Sequence, residues 1–303
     1  MRVLITGANG QLGSDLLAEL RTRGMEGIGS DITPEWRNAS AGSGIQYVRL
    51  DIADAGQVVE QFERIRPDAV IHCAAWTNVD AAEEAQNIQT VRAINVDGTR
   101  NIADACKAEG SRMMYLSTDY VFNGTGTKPW EPDCKDFGPL NVYAQSKLDG
   151  ERAVSDTLES FFIVRTAWMF GLQGSNFVNA ILRAAKEQPV VRVVNDQVGT
   201  PTYSKDLARL LVDMIQTEKY GYYHVTNEGG YISWYEFACE ICRQAGMKTQ
   251  VIPVSTEEYG VSVAKRPLNS RLSKRKLVQA GFAPLPHWRD ALARYLSIKA
   301  ERP

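Results

Sequence analysis

The sequence predicts an α/β fold, a doubly wound parallel sheet with a smaller C-terminal α/β lobe. Three observations carry this. Short β-branched runs alternate with helical stretches from residue 2 to about residue 167. The runs are apolar throughout, as in strands buried on both faces by helices. A glycine-rich turn joins the first run to the first helical stretch. With 303 residues and 44% hydrophobic content, the chain can bury a full core in one large domain or two modest ones.

In chain order the candidate strands are "RVLIT", "MEGIGSD", "IQYVRLD", "DAVIHCAA", "RMMYLST" and "FFIVRTA", with helices beginning near Gln11, Asp54, Ala82 and Asn141. After Ala167 the pattern loosens. A helix from about Asn176 to Lys186, a strand "VVRVVND", a helix "SKDLARLLVDMI" and a strand "YYHVT" precede "TQVIPVS" and a terminal helix "HWRDALARYL". The expected division is residues 1–167, with segments returning at roughly 204–227, as a dinucleotide-binding domain. Residues roughly 168–203 and 228–303 form a substrate-binding lobe. The longest loop-like stretch, "NGTGTKPWEPDCKDFGPLN" (residues 123–141), lies beside the expected chemistry, and its length and position predict that it closes over a ligand.

Composition excludes several function classes. A formal net charge of −2 and a pI near 6.0 supply no field to hold a polyanion, which excludes nucleic-acid binding as a main role. No apolar run reaches the ~20 residues that span a bilayer, and "MRVLITG" lacks a leader's features, so a cytoplasmic protein without membrane contact is expected. Five scattered cysteines fit reduced thiols. Cys239 and Cys242 lie along one amphipathic helix and read as buried thiols.

The turn "GANGQLG" places Gly7, Gly10 and Gly13 between the first strand and the first helix. Gly7 permits the tight turn, Gly10 lets a pyrophosphate approach the backbone, and Gly13 lets helix pack on strand. Gln11 and Leu12 open the helix, whose free N–H groups and dipole meet phosphates. Asp31 ends the second strand, where an acid accepts hydrogen bonds from an adenosine ribose and repels a 2′-phosphate. The cofactor is therefore NADH or NADPH with NADH favoured, a preference that nearby Arg37 blunts. Asp51 and Ile52 end the third strand and face the adenine position, although "DIAD" also reads as a cap for the helix near Asp54.

"MMYLSTDYVFNG" ends the fifth strand with Ser117, Thr118 and Asp119 at the sheet edge where open α/β folds bind ligands. Tyr143 and Lys147 follow on the next helix, one turn apart. A tyrosine titrates near 10 and needs a stabilised phenolate to act at neutral pH. The Lys147 ammonium would supply this and could also hydrogen-bond the nicotinamide ribose, while Thr118 holds a substrate oxygen. The same spacing recurs at Tyr295 and Lys299, beyond the last strand and without a cradle, where it reads as a helix face.

The cradle, "STDYVF" and "YAQSK" together resemble the extended short-chain dehydrogenase/reductases, which are Rossmann-like. "GANGQLG", "AAWTNVDAAE", "STDYVFNG", "NVYAQSKLDGE", "RTAWMFG", "NDQVGTPT" and "RPLNSRL" are similar to the dTDP-4-dehydrorhamnose reductase family. The resemblance implies an enzyme that reduces the C4 ketone of dTDP-6-deoxy-L-lyxo-4-hexulose in the last step of dTDP-L-rhamnose synthesis. In that scheme Tyr143 protonates O4, with Thr118 and Lys147 in support. It also implies that Ala74, Ala75 and Thr77 line the cofactor, and that Val79 and Asp119 lie near the sugar. Trp168 would pack on the deoxysugar, Asn176 would lie near the nucleotide, and Arg266 would meet the diphosphate.

Some members of the family place magnesium at a dimer contact through glutamates. Asp15 and Asp206 stand at the matching positions with shorter reach, which leaves magnesium and a homodimer open. Asp80, Glu83 and Glu84 read as a solvated helix start. The rival readings are a reductase or an epimerase/dehydratase of another nucleotide sugar, and a non-catalytic cofactor-binding regulatory subunit on the same fold. Asp119 follows Thr118 as in dehydratases, but Tyr120 stands where their glutamate would be, and the regulator would be expected to have lost Tyr, Lys or Thr.

Overall fold

The computed structural model describes residues 1–37, 45–260 and 262–301. Residue 261 and the last two residues of the expected lobe, 302 and 303, lie outside the described residues. The strands β1 (Arg2–Thr6), β2 (Glu26–Asp31), β3 (Gln46–Arg49), β4 (Ala69–His72), β5 (Arg112–Thr118) and β6 (Phe161–Thr166) build a wholly parallel sheet. A seventh strand, Gly221–His224, adds to β6, giving the order Gly221–His224, β6, β5, β4, β1, β2, β3. β1 and β5 match the sequence reading residue for residue, and the other four strands lie inside their expected runs.

Helices cover both faces. On one, α1 (Gln11–Thr22) and the helix Ser204–Ile215 pack over β1, with Leu16, Leu17 and Leu20 at 0–1% exposure. Each leucine so buried contributes roughly 1.5–3 kcal/mol. On the other, α2 (Ala55–Ile65) and α4 (Thr99–Glu109) close over Leu4, Val70 and Tyr115. The chain order reverses between β1 and β4, so their carboxyl ends splay apart and leave a crevice there.

A third apolar cluster lies beyond this edge, formed by the helices Phe177–Glu187, Trp234–Gln244 and Trp288–Ala300 and by the parallel strands Val190–Val194 and Gln250–Val254. Tyr295 belongs to it. Its position after the last strand predicts a helix face, but Tyr295 is fully buried, donates to Asn179 Oδ1 at 2.7 Å and stands edge-on to Phe170.

Two further expectations need correction. The helix expected from near Ala82 is a 3-10 turn, Ala81–Glu83, followed by α3 (Ile88–Arg92), a wide π turn over Ala93–Gly98, and α4. Glu83 bends the acidic start toward α5 (Val142–Ser155) by accepting the Val142 N–H at 2.7 Å. Asn95, inside the wide turn, donates to Trp76 O and to Ser146 Oγ and accepts the Trp76 N–H.

The loop 123–141 is not poised as a lid. Trp130 donates its backbone N–H to Arg271 O at 2.8 Å, and Asn269 donates Nδ2 to Thr125 O and Lys128 O, so the loop is stitched to the segment 269–273. No residue from 123 to 141 lines the crevice.

Candidate active site

The crevice is a cavity of about 750 Å³ at the carboxyl ends of β1 and β4–β6. At its floor the β1–α1 turn carries Gly7 at φ +68°, and a Cβ there would sit 2.7 Å from Ala74 N. A Cβ on Gly13 would meet Gly7 O at 2.2 Å. Only glycine lets α1 begin this close to the strand, which keeps the helix N-terminus bare for an anion. Gly10, Gln11 and Leu12 complete this wall. Gly13→Ala is expected to lower the melting temperature and to weaken binding of a reduced dinucleotide at least tenfold, read by calorimetry and fluorescence titration. Unchanged binding would contradict this reading of the cradle.

Asp31 stands at the end of β2 and lines the cavity, where its Oδ2 accepts the Asn9 N–H at 3.0 Å. Asn9 also accepts the Arg37 N–H through Oδ1 and donates to Thr33 Oγ1, which latches the segment after Asp31 onto the cradle. Asp51 and Ile52 line the cavity, and the cap on α2 is Asp54, whose Oδ1 accepts the Gln57 N–H. Ala74, Ala75, Thr77 and Val79 follow β4 along the opposite wall. The group that fits this trough is a dinucleotide: a glycine cradle a Cβ would fill, an acid at the end of β2, and Lys147 lining the same cavity.

α5 is started by Asn141, whose Oδ1 accepts the Ala144 N–H at 2.7 Å. The helix brings Tyr143 and Lys147 against the end of β5, where both line the cavity with Thr118 and Asp119. Thr118 Oγ1 donates to Asp119 Oδ1 at 3.1 Å and accepts the Tyr120 N–H at 3.2 Å. Asp119 is buried, its Oδ2 has no hydrogen-bond partner, and burial pushes its carboxyl up to about 6.

Lys147 is not among the groups that shift the Tyr143 hydroxyl. Its Nζ donates to Leu116 O at 2.7 Å and stands 4.0 Å over the Tyr115 ring, and burial lowers the ammonium to about 7. Burial first and the Asp119 carboxylate second push the Tyr143 hydroxyl up, with the hydrogen bond to Thr118 opposing them. Tyr143 therefore stays a phenol at neutral pH, charged with the proton that a reduction consumes.

Trp168 lies on the far wall with its ring stacked on Trp234, the centroids 3.7 Å apart, and both line the cavity. Its backbone adopts φ +51°, a left-handed conformation uncommon for a bulky residue. Trp234, read from the sequence as part of a helix's apolar stripe, is a wall residue the sequence reading missed. That stripe was correct, and nothing local distinguishes core from cavity at its first turn.

Two expected residues do not reach the cavity. Asn176 caps the helix Phe177–Glu187, with Oδ1 accepting the Asn179 N–H at 3.0 Å and Nδ2 donating to Gly171 O at 2.8 Å. Arg266 stands outside the lining, paired with Asp80 at 2.6 Å and beside Tyr120. Asp80 is thus not a bare solvated acid. It holds Arg266 and accepts the Ala264 N–H, a contact across so much sequence that no local pattern announces it.

Asp206 is likewise committed inside the chain. Its carboxylate accepts both Arg294 Nη atoms at 2.8 and 2.7 Å and Asn227 Nδ2 at 2.9 Å. Asp15 accepts from Ser204 Oγ at 2.5 Å. Among the described residues no group of three His, Cys, Asp or Glu side chains is placed to hold a metal, and no helix is long and apolar enough to cross a membrane.

A family model described as the RmlD substrate binding domain matches residues 1–300. The spore coat polysaccharide biosynthesis protein SpsK of Bacillus subtilis is 39% identical, over 99% of this chain and 98% of that protein. A dTDP-4-dehydrorhamnose reductase of Streptomyces griseus is 38% identical, over 96% of this chain and 91% of that one. Among solved structures, the dTDP-4-dehydrorhamnose reductase of Bacillus anthracis in complex with NADP superposes with a TM-score of 0.88 at 40% identity, covering 98% of this chain and 99% of that chain.

Proposed function

The chain belongs to the RmlD substrate-binding-domain family, that of the dTDP-4-dehydrorhamnose reductases, and from that premise we propose how its cavity performs the reduction. It is a nicotinamide-dependent oxidoreductase that reduces the C4 ketone of dTDP-4-dehydro-L-rhamnose to dTDP-L-rhamnose. The observation that carries the reading is geometric: Tyr143, Lys147 and Thr118 line the same cavity as the glycine cradle.

When bound, the reduced nicotinamide supplies a hydride to the sugar's C4. Gly7, Gly10 and Gly13 would seat its pyrophosphate, Asp31 would take the adenosine ribose, and Lys147 would take the nicotinamide ribose. As C4 is reduced, Tyr143 passes its phenolic proton to O4, which neutralises the forming alkoxide. Thr118 orients that oxygen, and burial together with the Asp119 carboxylate keeps Tyr143 in the protonated form that a proton donor needs. The Trp168 ring bounds the sugar, and Val79 lies across from it.

On the protein side, cofactor choice rests on Asp31 and the nearby Arg37, which act in opposite senses. The Asp31 charge disfavours a 2′-phosphate, whereas the Bacillus anthracis relative was solved with NADP, and the exposed Arg37 can offer that phosphate a partner. The expected ratio of kcat/KM for NADH over NADPH lies between about 1 and 10.

The function is tested by supplying dTDP-4-dehydro-L-rhamnose and its GDP-linked counterpart to the purified protein and following cofactor oxidation. The dTDP substrate is expected to turn over at least about a hundredfold better by kcat/KM, about 2.7 kcal/mol of discrimination. Equal turnover would overturn the substrate assignment.

A further inference from the structure

A buried ion pair lies directly behind the catalytic helix face, and neither the sequence reading nor the proposed reaction uses it. Tyr143, Lys147 and Glu151 stand at i, i+4 and i+8 of α5, on one face. Tyr143 opens into the cavity, Lys147 closes its floor, and Glu151 is 1% exposed beneath them. Glu151 accepts Arg165 Nε at 2.8 Å on one oxygen and Arg165 Nη2 at 2.7 Å on the other, and Arg165 is equally buried. Glu151 Oε1 also accepts Ser117 Oγ at 2.5 Å.

The end of β5 is therefore tied to three successive turns of α5. Leu116 O receives Lys147, Ser117 bonds Glu151, and Thr118 hydrogen-bonds Tyr143. The guanidinium is held in turn. Arg165 Nη1 donates to Pro132 O at 2.9 Å and approaches His224 Nε2 at 3.4 Å, while the rings of Phe122, Phe137 and Tyr222 lie within 5.4 Å of it. His224 Nδ1 faces Trp130 O at 3.1 Å, so that nitrogen carries the proton and Nε2 is free to accept from Arg165.

We propose that Glu151 is a positioning residue: its carboxylate is the countercharge of Lys147 and fixes the strand end bearing Thr118 against the helix turn bearing Tyr143, with Arg165 anchoring it. This inference rests on the proposed function for the roles of Tyr143 and Lys147. The groups that face Lys147 are His72 and Cys73 from the end of β4, Tyr115 from β5, and Tyr143 and Glu151 on α5. Glu151 is the only one of these that bears a carboxyl group, and it opposes the burial that lowers the ammonium. Those that face Glu151 are Arg165, Ser117, Tyr115 and Tyr222.

A buried pair of this kind is weak evidence of stability, because apolar residues of similar volume often replace it without loss. That separates a positioning role from a structural one. The test is the pH profile of kcat/KM for the reduced cofactor, which reports groups in the free enzyme, measured for wild type, Glu151→Gln and the double variant Glu151→Gln/Arg165→Met. In wild type the alkaline limb is expected near 7, where the Lys147 charge is lost as pH rises. In Glu151→Gln the limb moves down by about one pH unit, and kcat/KM at about pH 8 falls roughly tenfold.

In the double variant the melting temperature returns toward wild type and the limb stays displaced. A limb unmoved in Glu151→Gln, or a double variant that regains both the melting temperature and the limb position, would overturn the proposal. Where Glu151→Gln does not fold, the displacement in the double variant decides alone. A wild-type protein inactive on the ketosugar contradicts the proposed function, whereas an active wild type with an unmoved limb contradicts only this inference.

Discussion

Tyr143→Phe is expected to lower kcat by about 100- to 10,000-fold, roughly 3–5 kcal/mol of barrier, with the sugar KM within about threefold of wild type. The substitution removes one oxygen from a side chain that already meets Tyr120 edge to face, so packing is retained. The effect falls on the proton alone. Because burial and Asp119 hold the phenol protonated, activity at neutral pH does not wait on a minor ionisation state. Rapid-mixing measurement of cofactor oxidation at saturating sugar checks this, and a loss of less than tenfold would remove Tyr143 as the donor.

Lys147→Met is expected to separate activity from stability. Loss of the ammonium should lower kcat/KM for the reduced cofactor by about 100-fold or more. The same change should stabilise the fold, since a methionine fills the buried stem's place without a charge. The folded-state value of Lys147, about 7, lies below its ordinary 10.5. Between those values the unfolded chain binds the extra proton, so wild-type stability rises with pH across that window. The advantage of Lys147→Met is therefore greatest below pH 7 and fades toward pH 10.5. Chemical denaturation at a series of pH values reads it, and a variant less stable than wild type at pH 6 contradicts the account of burial.

Much of the sheet was legible in the sequence because burial on both faces writes an uninterrupted apolar run. "RVLIT" and "RMMYLST" mark β1 and β5 to the residue. The helix Ser204–Ile215 was legible for a related reason, its apolar residues recurring at helical spacing between polar ones. The two-residue strands Met169–Phe170 and Val198–Gly199 were not, since a pair of residues has no period. The break before α4 was hidden because it is set by Asn95 reaching Trp76 and Ser146, a contact made only in the folded chain.

At the site, residues carried by contiguous motifs were legible: the cradle, the end of β5 and the Tyr143–Lys147 pair all face one cavity. What escaped was set by contacts distant in sequence. Asp80 reads as a solvated helix start until Arg266 is folded onto it. Glu151 and Arg165 sit on an ordinary helix and strand, and their pairing depends on how β6 lies beneath α5. The loop 123–141 was misread because its anchors, Asn269 and Arg271, come from far along the chain. The shifts at Tyr143 and Lys147 were not legible because burial, which only the folded chain creates, dominates both.

The central claim is that reduction occurs at the sugar's C4 with Tyr143 as proton donor. The most direct measurement uses reduced cofactor carrying deuterium at the transferable position of the nicotinamide ring, with dTDP-4-dehydro-L-rhamnose as substrate and the product read by NMR. One deuterium at C4 of the deoxysugar, formed by wild type and nearly abolished by Tyr143→Phe, is the predicted result. Deuterium at any other carbon, or equal labelling by wild type and Tyr143→Phe, would contradict it.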